Sequence, residues 1–163
     1  MKYFLLLTLL TGSFAFAETQ KFETTCKRKD CFAYGWKTVG ENYSLDTICK
    51  DQNCREFGWA SVANDHSTYD VTCKVGGCFR SGWSSSQHIN GKVFDDQVSC
   101  RSSNCLAFGW TVQTGYDLMG GDAVCNLGDC SKYGGESVWR GRPSRTLCFG
   151  SDCYHQGWEL FVY

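Results

Sequence analysis

One phrase, C-x-x-x-x-C-x-x-x-G, recurs six times in this chain, starting at Cys26, Cys49, Cys73, Cys100, Cys125 and Cys148. In five of the six a tryptophan follows the glycine. All twelve cysteines belong to these phrases, two to each, and the starts are 23, 24, 27, 25 and 23 residues apart. A period this regular marks a repeat architecture, in which each unit is one supersecondary element that buries its apolar face only against its neighbours.

The first seventeen residues stand outside the repeats. Lys2 provides a positive start, Phe4 to Leu10 an apolar run, and Ala15-Phe16-Ala17 a small-x-small cleavage site. The expected organisation is therefore a signal peptide at 1–17 and one domain of six repeats at 18–163, exported to a periplasm or the extracellular space. The apolar run is too short to span a bilayer and no second long one follows, so no membrane span is expected.

Export decides how the cysteines are read. An even number of them in an oxidising compartment implies disulfides. Zinc would need four ligands per ion, usually at shorter spacing. The expected bridges are local: Cys26 to Cys31, Cys49 to Cys54, Cys73 to Cys78, Cys100 to Cys105, Cys125 to Cys130 and Cys148 to Cys153. The rival framework joins successive units, as in Cys31 to Cys49. The residues from 18 onward hold 18 Leu, Ile and Val against 21 Phe, Tyr and Trp. A core so poor in aliphatics benefits from staples, each closed ring of six residues contributing about 2 kcal/mol.

Within a unit, β-compatible runs such as Asp46-Thr47-Ile48 and Gln97-Val98-Ser99 precede the first cysteine. The residue before the second cysteine is Asp30, Asn53, Gly77, Asn104, Asp129 or Asp152. These are residues that tolerate left-handed backbone and favour turns. The cysteines are thus expected to flank a four-residue hairpin loop. A second strand would follow, with period-two aromatics as in Phe32-Tyr34-Trp36. The glycine before each tryptophan implies a bulge or the close approach of a neighbouring backbone. Unit five departs from the pattern: Gly135 replaces the tryptophan and Trp139 comes four residues later.

These features give an all-β fold of six disulfide-stapled β-hairpin repeats of about 24 residues in an open or closed array, with a β-trefoil as the alternative. The layout resembles the hairpin repeats of choline-binding and MORN-type modules, which also place glycine and aromatics every twenty-odd residues; the cysteine framework has no counterpart there.

Little in the chain points to catalysis. Bridged cysteines are not nucleophiles, and His66, His88 and His155 lie in separate units without a partner motif. No enzyme activity, cofactor or metal is expected. Without Lys2 the charge is 15 basic against 17 acidic residues, −2, which gives no field for nucleic acid. Arg140, Arg142 and Arg145, beside Pro143, read as a solvated loop.

Acids recur three residues before the first cysteine (Glu23, Asp46, Asp70, Asp122), and basic residues recur just after it (Lys27, Lys50, Lys74, Arg101). In the hairpin register Glu23 would lie beside Tyr34 and Asp46 beside Phe57. A ring and a carboxylate together suit a sugar, one packing on its apolar face and the other accepting its hydroxyls. Glu23, Tyr34, Asp46, Phe57 and Phe108 are accordingly the candidate ligand face. The competing reading makes them ordinary cross-strand neighbours. The five tryptophans at one repeat position are expected to form a packed ladder between neighbouring units rather than a ligand platform. The expected function is a non-catalytic binding module for glycans or cell-envelope polymers, or alternatively a protein-binding or structural surface protein, including an inhibitor-like role. The sequence sets no oligomeric state.

Overall fold

The structure, a computed structural model, describes residues 19–114, 120–139 and 141–163, without the side chain of Trp139. The expected cleavage point between Ala17 and Glu18 lies outside these residues, as do Arg140 and most of the loop after unit four.

Each unit contributes a strand that ends at its first cysteine and another that begins at the tryptophan position. In order they are β1 (Gln20–Cys26), β2 (Trp36–Val39), β3 (Ser44–Cys49), β4 (Trp59–Ala63), β5 (Thr68–Cys73), β6 (Trp83–Ile89), β7 (Lys92–Cys100), β8 (Trp110–Thr114), β9 (Gly121–Cys125), β10 (Gly135–Trp139), β11 (Arg142–Cys148) and β12 (Trp158–Val162). Every strand pairs antiparallel with its sequence neighbours, and β1 pairs with β12, so the sheet closes into an up-and-down barrel. Closure removes both sheet edges, which an open array would have left unpaired. Neither an open array nor a trefoil is formed.

Residues alternate in and out along each strand. Thr24, Thr47, Val71, Val98 and Ala123, two before their cysteines, are buried inside the barrel, while Glu23, Asp46, Asp70 and Asp122 face solvent. The middle of the barrel is lined mainly by small side chains, and its hydroxyls pair with one another: Thr24 with Thr38 and Thr47 with Ser61, each at 2.8 Å. Asn90-Gly91 forms the expected two-residue hairpin turn between β6 and β7, both residues at positive φ.

The connection inside each unit differs from the expected tight loop. Cys26 is registered against Trp36, not Cys31, and the two strands are joined by nine intervening residues. A 3-10 turn follows the first cysteine in every unit but the third, and in four units a helical turn starts at the second: Cys31–Tyr34, Cys78–Ser81, Cys105–Phe108 and Cys130–Tyr133. The Asp or Asn before the second cysteine is its N-cap. The Asp30 carboxylate accepts from the backbone N–H groups of Phe32 and Ala33 at 3.0 and 2.9 Å. Its φ is −149°, so the left-handed positions are instead the two residues before it, as at Arg28 and Lys29. Capping and turn formation select the same residue types, which is why the sequence signal was ambiguous. The six disulfides are local, with Cα separations of 4.4 to 4.7 Å, and no described cysteine is free.

The recurring glycine is explained by close approach. Gly58 has φ 91°, and a Cβ there would run into the carbonyl oxygen of Val71 in the next unit. Gly35, Gly82, Gly109, Gly134 and Gly157 make the same approach to Thr47, Val98, Ala123, Thr146 and Thr24. The last of these joins unit six to unit one, so the contact runs round the whole barrel.

Candidate functional site

All six cysteine-bearing connections sit at one end of the barrel, and two layers of side chains close that end. The lower layer is a ring of indoles that alternation turns inward: Trp158 touches Trp36, Trp36 touches Trp59, Trp59 touches Trp83 and Trp83 touches Trp110, at centroid distances of 5.6 to 5.9 Å and interplanar angles of 54 to 59°. Tilted contacts at this spacing suit the ring quadrupoles. The five tryptophans at the repeat position therefore form a packed internal ladder, as expected from the sequence.

The upper layer comes from the residue after each second cysteine: Phe32, Arg55, Phe79, Leu106, Ser131 and Tyr154. Phe32 meets Phe79 and Tyr154 edge-on at 5.0 and 4.6 Å, and the Arg55 guanidinium lies 4.5 Å from the Tyr154 ring centre. Burial pushes the Tyr154 phenol above its ordinary pKa, offset by a hydrogen bond with Ser131 and by the Arg55 charge. Backbone bonds tie the layer together, including the N–H of Cys31 to the carbonyl of Tyr154 at 2.8 Å and that of Cys54 to Phe32 at 2.8 Å.

Unit five interrupts both layers. Gly135 occupies the ring position between Trp110 and Trp158, and Ser131 is the smallest side chain of the upper layer. A partly enclosed cavity of about 150 Å³ opens there, walled by Trp110 and Trp158 and lined also by Ala123, Thr146, Ser131 and Gly135. Sequence reading noted the missing tryptophan as a local irregularity. It missed the cavity because only the closed barrel sets Trp110 and Trp158 on either side of Gly135.

The proposed ligand face is not assembled in the expected way. Glu23 is registered with Val39 and Glu159, and Asp46 with Lys37 and Val62. Tyr34 belongs to a helical turn at the rim and lies 5.0 Å beneath the Arg28 guanidinium. Phe57 and Phe108 project at the same rim from units two and four, about half exposed. Asp46, Asp70 and Asp122 lie instead on the outer wall, where each meets the recurring basic residue of the preceding unit: Lys27 pairs with Asp46, Lys50 with Asp70 at 2.9 Å, and Arg101 with Asp122. Where Gln97 replaces the acid, the Lys74 ammonium donates to the Val98 carbonyl at 2.8 Å. Both sequence patterns thus form one ladder between adjacent units.

The rim also carries two apolar residues that sequence reading did not single out, Val75 at 99 % exposure and Leu127 at 86 %. Leu127 is held at φ 49°, where a branched side chain is strained. Among the described residues no group of His, Cys, Asp or Glu is placed to hold a metal ion, and no helix is long and apolar enough to cross a membrane. Arg142 and Arg145 lie on β11 and not in a loop. Compared with protein-family models, curated proteins and solved structures, the chain matches none.

Proposed function

We propose that the protein is an exported, non-catalytic binding module that engages a protein partner through the disulfide end of its barrel. The observation that carries this reading is the rim itself: Val75 and Leu127 stand almost fully in solvent, with Phe57 and Phe108 about half exposed, on connections braced by a disulfide in every unit. Pre-ordered apolar anchors lose little entropy on docking and make good interface centres. The six disulfides suit an oxidising compartment, periplasmic or extracellular once residues 1–17 are removed.

The half-exposed rings of Phe57 and Phe108 keep glycans and envelope polymers as the second reading, because an exposed ring can pack on a sugar face. A photo-crosslinking residue at position 127 would identify a partner, whose affinity is then measured with the purified proteins. Val75→Ser combined with Leu127→Asn should weaken that affinity at least about tenfold. A glycan array and Phe57→Ala test the second reading. An unchanged affinity in the double variant removes the rim as the docking surface.

A further inference from the structure

We propose that the cavity in unit five is a binding site for a planar bicyclic aromatic ligand of indole size. The proposal does not depend on the rim having a protein partner.

The barrel itself supplies the template. Five units place an indole at one level of the interior, each within 5.6 to 5.9 Å of its neighbour. The sixth place, between Trp110 and Trp158, holds Gly135. The cavity found there, about 150 Å³, matches the size of an engineered apolar cavity known to accept benzene, about 150 Å³. A flat ring inserted between Trp110 and Trp158 would meet both at the tilted spacing the other five already use.

Two independent positions keep the site open. Gly135, where a Cβ would lie 2.6 Å from the Val124 carbonyl oxygen, leaves the ring place without a side chain, and Ser131 removes the bulk that Phe32, Phe79, Leu106 or Tyr154 provide in the layer above. A single deletion would read as drift. Two in one unit, stacked along the same path, leave a recess with a way in. Trp139 lies four residues along β10 from Gly135, about 13 Å at strand rise, so its backbone is not at ring level. The lining hydroxyls of Ser131, Ser137 and Thr146 supply acceptors for an indole N–H. Glu136, exposed, is the one charged residue of the lining, and the other lining residues are uncharged, which disfavours an anionic ligand.

The test is calorimetric titration of the purified, fully oxidised protein with indole, followed in parallel by near-ultraviolet circular dichroism of the tryptophan ring. The expected result is saturable binding at one site per chain, with a dissociation constant of about 1 mM or tighter. Cyclohexanol, which is not planar, should bind at least about tenfold more weakly. Ser131→Phe should block entry and weaken indole by at least about tenfold. Should that variant fail to fold, Ala123→Leu fills the cavity from below and carries the same expectation. Adding N-acetyltryptophanamide distinguishes a free ligand from a polypeptide side chain: both sources bind if the opening admits a backbone, and indole alone binds if it does not. The absence of saturable indole binding to the native protein overturns the proposal. So does indole affinity that survives in both a folded Ser131→Phe and a folded Ala123→Leu.

Discussion

Glu23 and Glu159 stand directly opposite one another where the first strand of the barrel meets the last. Elsewhere the acid three residues before a cysteine faces a basic residue from the preceding unit, as Asp46 faces Lys27 and Asp70 faces Lys50. At the closing seam the corresponding basic position is Phe149, and Lys21 reaches Glu159 at 2.6 Å. Like charges directly opposed across a strand pair are destabilising, by about 0.2–1 kcal/mol. Glu23→Gln should therefore raise stability by a few tenths of a kcal/mol, and Phe149→Lys, which sets an ammonium beside the exposed Glu23 from a half-buried position, by no more than about 0.2–1 kcal/mol. Chemical denaturation at low and high salt checks both, and the gain from Phe149→Lys should shrink as salt screens it.

The glycine contacts predict a sharp contrast between two equally small changes. Gly58→Ala places a methyl against the Val71 carbonyl and forces a left-handed φ of 91°, so the strand pair must separate. Its expected cost is on the order of 3 kcal/mol or more. Gly91→Ala sits at φ 74° with open space around it and should cost only about 1–2 kcal/mol, the left-handed penalty alone. Equal costs in thermal or urea unfolding would mean that the inter-unit approach is unimportant.

Repetition made part of this fold legible and hid another part. The β class followed from the β-compatible runs and turn residues around each cysteine pair, and the local disulfides from two cysteines falling in every unit with none left over. The closure of the barrel did not, because pairing of β1 with β12 is a long-range relation that no single unit encodes. The register error had a definite cause. Phe32, Tyr34 and Trp36 are two residues apart in sequence, as strand neighbours would be, yet the first two lie in a helical turn and only Trp36 starts a strand. Four residues are too few for helical periodicity to show. That slip moved Glu23 and Asp46 beside aromatics they do not meet. The rim residues Val75 and Leu127 were invisible to pattern reading because they do not recur.

Each disulfide closes a short ring, so each contributes modestly. Replacing Cys49 and Cys54 together by serine should cost about 2 kcal/mol in the chain-entropy model, plus the packing of two sulfurs that are buried among Trp36 and Trp59. Non-reducing peptide mapping should recover six intra-unit bridges, and N-terminal sequencing of the exported protein should begin at Glu18.

Alkaline pH should loosen the barrel at both ends through the half-buried phenols of Tyr43 and Tyr154. Burial, reinforced by a hydrogen bond with Tyr69, pushes the Tyr43 phenol well above its ordinary value at the end opposite the disulfides. There the Tyr43 ring also meets Phe22 edge-on at 6.0 Å. Burial raises Tyr154 in the upper layer of the disulfide end. Both groups hold their protons more tightly folded than unfolded, where the value is about 10. Below that pH neither state ionises and the contribution to stability is complete. Above it the unfolded chain loses protons that the barrel retains, so stability falls as pH rises towards the folded values. Melting temperatures measured between about pH 8 and 11 should be flat below about 9.5 and then decline. Tyr43→Phe should lower stability at neutral pH through the lost hydrogen bond, by about 1 kcal/mol, but should reduce the alkaline decline. Among the described residues every cysteine is bridged, so thiol exchange lacks a nucleophile within the fold and does not mimic the effect. A decline as steep in the Tyr43→Phe, Tyr154→Phe double variant as in the native protein would assign the alkaline transition to other groups.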